Sequence, residues 1–232
     1  VALLKDGQVL YQAESVKNST RSNQVLSLLD KVLKNSYTRL EDVDGLCLTT
    51  GPGSFTGLRV GASLLKGLVL ATSKPFVKID TLEATALGAM PNSNKICAVL
   101  DAKKKEVYTA YFRSNGDTIE RLTPDRAITP DELCEETKEP TVFVGNGLDS
   151  HGTLLASRIG KNFLQVPKNT SFTVAALAAR LAEKKFETDR CFDLRELKIK
   201  YVRKPEAELK FAKLRATSKE KSYYGNRKGN TR

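Results

Sequence analysis

The spacing of apolar and polar residues predicts short strands and two helices in the first seventy residues. Val1–Leu4 and Val9–Tyr11 flank an Asp-Gly pair, which is typical of a β-hairpin. Apolar residues recur at helical spacing from Val25 to Leu33, and a longer apolar helix is predicted over residues 54–72. Between these helices, residues 45–50 have the composition of a buried strand. A strand therefore leads directly into the second helix.

The remaining pattern predicts a second set of strands and helices after a break at residues 91–94, Pro-Asn-Ser-Asn. Mixed strands and helices in this order favour an α/β fold. We expect one lobe over residues 1–92, a second over 93–208, and a basic tail over 209–232. The further predicted elements are a strand at Phe76–Ile79, a helix capped by Thr81, strands at Ile96–Leu100, Val107–Phe112 and Val142–Val144, and a helix at Val174–Phe186.

The residues between the buried strand and the second helix form a motif rich in glycine. It reads Gly51-Pro52-Gly53-Ser54-Phe55-Thr56-Gly57-Leu58-Arg59-Val60-Gly61. Gly51, Pro52 and Gly53 end the strand, and Ser54 is placed to cap the helix by accepting a backbone N–H. Since a glycine inside a helix costs about 1 kcal/mol relative to alanine, Gly57 and Gly61 predict a close approach by another backbone.

This motif closely resembles that of the TsaB (YeaZ) family. Shorter matches follow in the same order: Asp101-Ala102-Lys103 with Glu106-Val107-Tyr108, then Val144-Gly145-Asn146-Gly147, then Tyr201-Val202-Arg203-Lys204-Pro205-Glu206-Ala207-Glu208. The resemblance covers about residues 1–208. It implies a two-lobed, actin-like fold of the ASKHA, ribonuclease H-like type, with mixed sheets flanked by helices.

The resemblance also implies a function without catalysis. TsaB proteins are the non-catalytic partners of a TsaD-type paralogue, which forms threonylcarbamoyladenosine at position 37 of tRNAs that read ANN codons. A TsaE-type ATPase docks on that pair, and the isolated protein is expected to form a homodimer. We therefore expect a cytoplasmic scaffold that has no cofactor and acts on tRNA indirectly.

The two long helices of the first lobe are the expected partner surface. Gly57 and Gly61 stand four residues apart, so they predict a notch without side chains on one helical face. A paralogue with the same fold would bring the same helices to this surface. The residues expected there are Val25, Leu28, Leu29, Val32, Gly57, Arg59, Gly61, Leu64 and Leu65.

An active ATPase or small-molecule kinase of the same fold is an alternative. Family members begin with an apolar strand ending in Asp-Thr-Ser, and in related ATPases that strand helps to hold phosphate. The sequence begins inside the expected second strand, and we expect that the first strand was omitted. The glycine-rich loop lacks the lysine of a Walker A motif, since Leu58 and Arg59 follow Gly57.

Other catalytic chemistry finds little support in the sequence. A Ser54 nucleophile needs a general base, and the single histidine, His151, is not linked to it by any pattern. The catalytic relatives bind metal through paired histidines, which are absent from the corresponding segment around Arg21. Asp101, Lys103 and Glu106 fit a solvated hairpin tip. We expect no metal site.

Composition restricts the remaining possibilities. The four cysteines are widely spaced, which favours reduced thiols in the cytosol, and we expect no membrane segment. The net charge is +11, and residues 201–232 carry ten Lys and Arg against three Glu. A second alternative is therefore an RNA-binding module that acts through this tail, with contacts expected from Lys219, Lys221, Tyr223, Tyr224, Arg227 and Lys228.

Overall fold

A computed structural model describes residues 1–15, 23–116, 118–166 and 172–203. The tail residues proposed for RNA contact, from Lys219 to Lys228, lie outside these ranges. So does the segment around Arg21 that was compared with the paired histidines of catalytic relatives. Everything below refers to the described residues.

The predicted hairpin, helices and strands of the first half are confirmed with small shifts at their ends. Asp6 and Gly7, at the tip of the hairpin, both have positive φ, as a tight turn requires. The elements are β1 (Ala2–Lys5), β2 (Gln8–Gln12), α1 (Asn23–Asn35), β3 (Leu46–Thr49), α2 (Phe55–Thr72), β4 (Phe76–Ile79) and α3 (Thr81–Leu87).

The cap of α3 differs from the prediction. Asp80, not Thr81, precedes the helix, and its carboxylate accepts the backbone N–H groups of Leu82 at 2.9 Å and Glu83 at 3.1 Å. Thr81 is the first helical residue, and its buried hydroxyl has no hydrogen-bond partner among the described residues. A carboxylate at this position also compensates the positive end of the helix.

The second half contains one mixed sheet with helices on both faces. The sheet runs β10-β9-β5-β6-β7, and β8 pairs with the far end of β6. β5, β9 and β10 are parallel to one another, whereas β6 is antiparallel to β5, β7 and β8. The elements are β5 (Lys95–Asp101), β6 (Val107–Asn115), β7 (Thr118–Arg121), β8 (Arg126–Ile128), α4 (Pro130–Glu136), β9 (Thr141–Val144), α5 (Gly147–Ile159), β10 (Phe163–Gln165) and α6 (Val174–Lys185).

Alternate residues of β5 supply two separate apolar cores. Ile96, Ala98 and Leu100 face the α3 side of the sheet, while Cys97 and Val99 face α4 and α5. This is the period of two that a strand buried on both faces requires. Burial also raises the pKa of the Cys97 thiol to about 12, so this cysteine stays protonated and inert.

The first half is built from two short sheets held together by a helix. β1 pairs with β2, and β3 pairs in parallel with β4. α6 packs against all four strands and against α3, so a helix from the C-terminal part of the chain completes the N-terminal core. Two-stranded sheets are marginal alone, and this packing supplies the burial that they need.

Residues Val1–Val202 form one compact unit. The division into lobes at residue 92 therefore stays a prediction, although the strands on either side of it pair within separate sheets. The apolar strand expected before Val1 also stays a prediction. In the described residues, β1 and β3 each pair along a single edge.

Candidate partner-binding site

The loop between β3 and α2 is fixed by backbone hydrogen bonds to two other segments. Thr81 donates its N–H to the Gly51 carbonyl at 2.8 Å, and Lys200 donates its N–H to the Thr50 carbonyl at 2.8 Å. Gly51 has φ +128°, and a Cβ there would lie 2.4 Å from the Lys200 carbonyl oxygen. Only glycine satisfies both the dihedral angle and this close approach.

Ser54 is the N-cap of α2, as the sequence predicts. Its hydroxyl oxygen accepts the backbone N–H of Gly57 at 3.3 Å. Within the loop, Gly51 and Pro52 are buried. The glycine-rich motif therefore serves to turn the chain and start a helix.

An aromatic pair joins the start of α2 to the end of the compact unit. The ring of Tyr201 stacks on Phe55 with 5.0 Å between centroids. Arg59, one turn further along α2, donates its Nε–H to the Tyr201 hydroxyl at 3.1 Å. Arg59 was expected on the partner surface, and it contributes here to an internal contact while its side chain stays exposed.

One face of α2 is buried in the core, and two residues expected at the partner surface lie on it. Leu65 is only 5 % exposed, because it packs against Phe76 and Leu197. A Cβ on Gly61 would lie 3.0 Å from Cδ1 of Leu48 on β3. Gly61 therefore lies against its own sheet, and this contact gives no support to a partner notch at this position.

The opposite face of α2 consists of Thr56, Ser63, Gly67 and Leu70, which we call the outer face. All four residues are exposed, and the Leu70 side chain is 75 % exposed. A Cβ on Gly67 would meet no atom within 4 Å. Sequence reasoning missed both Gly67 and Leu70, although they follow Ser63 by four and seven residues, which indicates one helical face.

The remaining expected residues divide between the surface and the interior. Gly57 is exposed at the start of α2, and Leu64 is half-buried on its flank. On α1, which packs against the β1–β2 hairpin, Val32 is only 1 % exposed and cannot touch a partner. Its neighbours Val25, Leu28 and Leu29 are half-buried, whereas Leu26, which was not predicted, is exposed.

Four charged side chains connect α3, the β7–β8 region and the segment before Tyr201. Lys200 Nζ lies 3.0 Å from Asp80 and 2.5 Å from Asp125, and Arg121 also pairs with both carboxylates. Burial opposes ionisation of Asp80, but Arg121 and Lys200 outweigh it and hold the pKa of Asp80 below its ordinary value. Burial raises the pKa of Asp125. The nearby Asp80 carboxylate raises it further, and the hydrogen bond from Lys200 partly offsets this rise.

The described residues give no support to the metal site or the Ser54–His151 pair considered from the sequence. Among them, no group of three or more His, Cys, Asp or Glu could hold a metal ion. His151 lies on α5 close enough to Asp101 to help lower the pKa of that carboxyl, whose main stabilising partner is Lys103. The Ser54 hydroxyl instead caps α2, whereas His151 lies on α5. The nucleophile and base considered from the sequence therefore belong to different helices.

The helix α2 is long and apolar enough, by length and composition alone, to cross a bilayer. In this fold, packing of one helix face in the core accounts for the apolar composition of α2. Its buried residues include Ala62, Leu65 and Val69, which pack in an apolar core with Leu46 and Leu48 of β3, as one face of an amphipathic helix does.

Comparisons with known proteins place this geometry in a family. The profile described as "TsaD: tRNA N6-adenosine threonylcarbamoyltransferase" matches residues 16–217, which is most of the chain. The tRNA threonylcarbamoyladenosine biosynthesis protein TsaB of Haemophilus influenzae is 37% identical over 178 residues, covering 72% of this chain and 75% of the relative. The TsaB protein of Bacillus subtilis is 25% identical over 215 residues, covering 91% and 92%.

A solved structure supports the same assignment for the fold. YeaZ from Pseudomonas aeruginosa superposes with a TM-score of 0.67 at 20% sequence identity, covering 86% of this chain and 92% of that one. The fold is thus the actin-like fold shared with YeaZ, as the resemblance implied. The chain belongs to the TsaB (YeaZ) family within the wider TsaD family, and it takes part in the formation of threonylcarbamoyladenosine in tRNA.

Proposed function

We propose that this protein is a non-catalytic scaffold that binds and activates a TsaD-type paralogue through the outer face of α2. The observation that carries the proposal is the exposure of Leu70 beside Gly67, where no atom lies within 4 Å of the position of a Cβ. The exposed Leu70 side chain can insert into a partner surface, and the open space at Gly67 can accept a partner side chain. A helix of the same fold can fill this space with its own side chain and receive Leu70 in return.

The charges along α2 support a partner of opposite sign. Arg59 and Lys66 stand seven residues apart, so they lie along one side of the outer face, and α2 contains no acidic residue. A partner helix bordered by Asp or Glu would approach without repulsion, and its charges would select this orientation. We therefore expect an acidic border on the contacting helix of the paralogue.

The absence of a catalytic role is supported by where the polar groups of the motif are used. The Ser54 hydroxyl, the Gly51 carbonyl and the Thr50 carbonyl are each engaged inside the protein. These hydrogen bonds hold α2 in place, so the motif has a structural role that needs no substrate. The protein would then contribute a surface to the reaction, and the paralogue would contribute the chemistry.

The further parts of the proposal follow the family resemblance. A TsaE-type ATPase would dock on the pair, tRNA would be engaged through the complex, and the outer face would pair with itself in a homodimer when the paralogue is absent. The complex would work in the cytoplasm.

A reconstituted modification reaction tests this function. The TsaD-type and TsaE-type proteins of the same organism, an unmodified tRNA transcript and a threonylcarbamoyl donor are combined with and without this protein. We expect product to depend on the protein, and we expect Leu70→Lys to lose most of that stimulation. Leu154→Lys, an exposed leucine on α5, is the matched control and should stimulate like the parent. Equal stimulation by Leu70→Lys would contradict the role of the outer face.

A further inference from the structure

The turn between β5 and β6 has a backbone conformation that its sequence does not favour. Lys103, Lys104 and Lys105 have φ values of 60°, 53° and 61°. Glu106 donates its N–H to the Lys103 carbonyl at 3.0 Å, and Ala102 donates to the Glu106 carbonyl at 3.1 Å, which closes the hairpin. A turn with positive φ at both central residues normally contains Asn-Gly or Asp-Gly.

Three successive lysines in this conformation need an explanation beyond the turn itself. Positive φ brings Cβ close to the carbonyl oxygen, so residues other than Gly, Asn and Asp are disfavoured there. Residues that suit the backbone are common and would close the same hairpin. The property that the lysines add is positive charge on long side chains, and all three are exposed.

At the tip, the ammonium group of Lys103 is more exposed than the carboxylate that it pairs with. Asp101 pairs with Lys103 at 2.7 Å, but its side chain is 19% exposed, whereas that of Lys103 is 82% exposed. The backbone N–H of Lys103 also donates to Asp101, and the N–H of Asp101 donates to the Asn146 side chain. The carboxylate is thus held behind the turn, where it fixes Lys103 and leaves the positive charge facing solvent.

We infer that the tip of the β5–β6 hairpin, Lys103–Lys105, contacts the phosphate backbone of tRNA during the reaction. This inference rests on the proposed function, which brings tRNA to the complex of this protein with its paralogue. Lysine binds phosphate as a flexible point charge and needs no base-specific geometry. An exposed turn that carries Lys104 and Lys105 next to the ion-paired Lys103 can contact the regular phosphates of an RNA helix, and it adds affinity without selecting a sequence.

The test replaces the lysines with residues that suit the turn better. In Lys104→Asn/Lys105→Gly, the hairpin gains the sequence favoured for positive φ and loses two charges. We expect the urea midpoint of this variant to rise. The affinity of its complex with the paralogue for an unmodified tRNA transcript should fall roughly tenfold at low salt, and the slope of log K against log salt should decrease by about 1.5.

Three further variants separate charge from shape. Lys104→Arg/Lys105→Arg keeps both charges and should bind like the parent. Lys104→Gln/Lys105→Gln removes them without changing turn preference and should bind like the Asn-Gly variant. Lys138→Asn/Lys161→Asn removes two charges from other exposed positions, and its salt slope should stay close to that of the parent.

The outcomes distinguish this inference from the proposed function. If the Asn-Gly variant pairs with the paralogue and binds tRNA with an unchanged salt slope, the inference is overturned and the proposed function stands. If it fails to pair with the paralogue, the lysines contact an acidic protein surface instead, and the inference is again overturned. If the parent does not pair with the paralogue, the proposed function fails first.

Discussion

Gly51 controls the loop before α2 through its dihedral angle and its contact with the segment that contains Lys200. We predict that Gly51→Ala destabilises the protein by about 2 kcal/mol or more, because a side chain at positive φ alone costs about 1–3 kcal/mol. The Cβ would also strike the Lys200 carbonyl oxygen. Urea unfolding monitored by circular dichroism measures the loss.

Gly53→Ala is the matched control for this prediction. It lies two residues away in the same loop, and its Cβ would lie 4.0 Å from the nearest atom, on Leu58. We expect a change of less than about 0.5 kcal/mol, as for surface substitutions that disturb no special feature. Equal losses in the two variants would show that the dihedral angle of Gly51 is not the cause.

Asp80 and Asp125 should influence the pH dependence of stability in opposite directions. The pKa of Asp80 is lowered in the folded protein, so its contribution is present above about pH 4 and is lost as the pH falls through the folded pKa. The pKa of Asp125 is raised, so its contribution is present below about pH 4 and is lost as the pH rises through the folded pKa.

The asparagine variants test this difference in sign. Asp80→Asn keeps a good helix cap but removes the charge that Arg121 and Lys200 face, and we expect a loss of about 1.5–3 kcal/mol at pH 7. Relative to the parent, this loss should shrink toward pH 3. For Asp125→Asn, the free energy difference from the parent should move in the opposite direction over the same range. Parallel pH profiles for the parent and both variants would contradict the assignment.

At the scale of residues, the sequence predicted the capping role of Ser54 and the need for glycine in the loop, because both are local properties. It did not distinguish Gly61 from Gly67. Which of the two glycines is open to a partner depends on the side of α2 that packs against β3. The position of Leu48 in the folded structure shows that this side contains Gly61. The contacts of Arg59 and Lys200 were missed for the same reason, since their partners are more than 70 residues away in the chain.

At the scale of elements, α2 is the helix whose two faces carry different functions. We predict that Gly61→Leu lowers stability by about 1–3 kcal/mol, because leucine would overpack the contact with Leu48. Gly67→Leu should instead leave stability unchanged or raise it by about 0.5–1 kcal/mol, because leucine is the better helix former and the position is open. Thermal melts of the two variants compare them directly; a larger loss for Gly67→Leu would mean that the faces are assigned in reverse.

The helices and strands with strong apolar periodicity were predicted, and the weaker ones were not. α1, α2 and α6 appear close to their expected bounds. α5 was missed because it begins Gly-Leu-Asp-Ser-His-Gly, a composition more typical of a loop, and it depends on packing of Leu155 against the sheet. α4 could have been found: Thr129 and Glu132 form a capping box, with Pro130 at the first helical position.

At the scale of the whole molecule, a scaffold should bind a partner without turning over a substrate. We predict that the purified protein hydrolyses neither ATP nor a peptide, since the described residues bring together neither a metal site nor a nucleophile and base. Phosphate release is measured after repeated purification, with Asp101→Ala as the control. ATP turnover that survives purification and is lost in Asp101→Ala would favour the ATPase or kinase alternative.

The most direct test of the account is whether the outer face of α2 joins this protein to its TsaD-type paralogue. Sedimentation velocity of the two proteins from one organism should show a complex for the parent and for Leu154→Lys. Leu70→Lys should remain folded and sediment separately from the paralogue, because a charge would be buried against a partner helix. A folded Leu70→Lys that forms the complex as tightly as the parent would contradict the account.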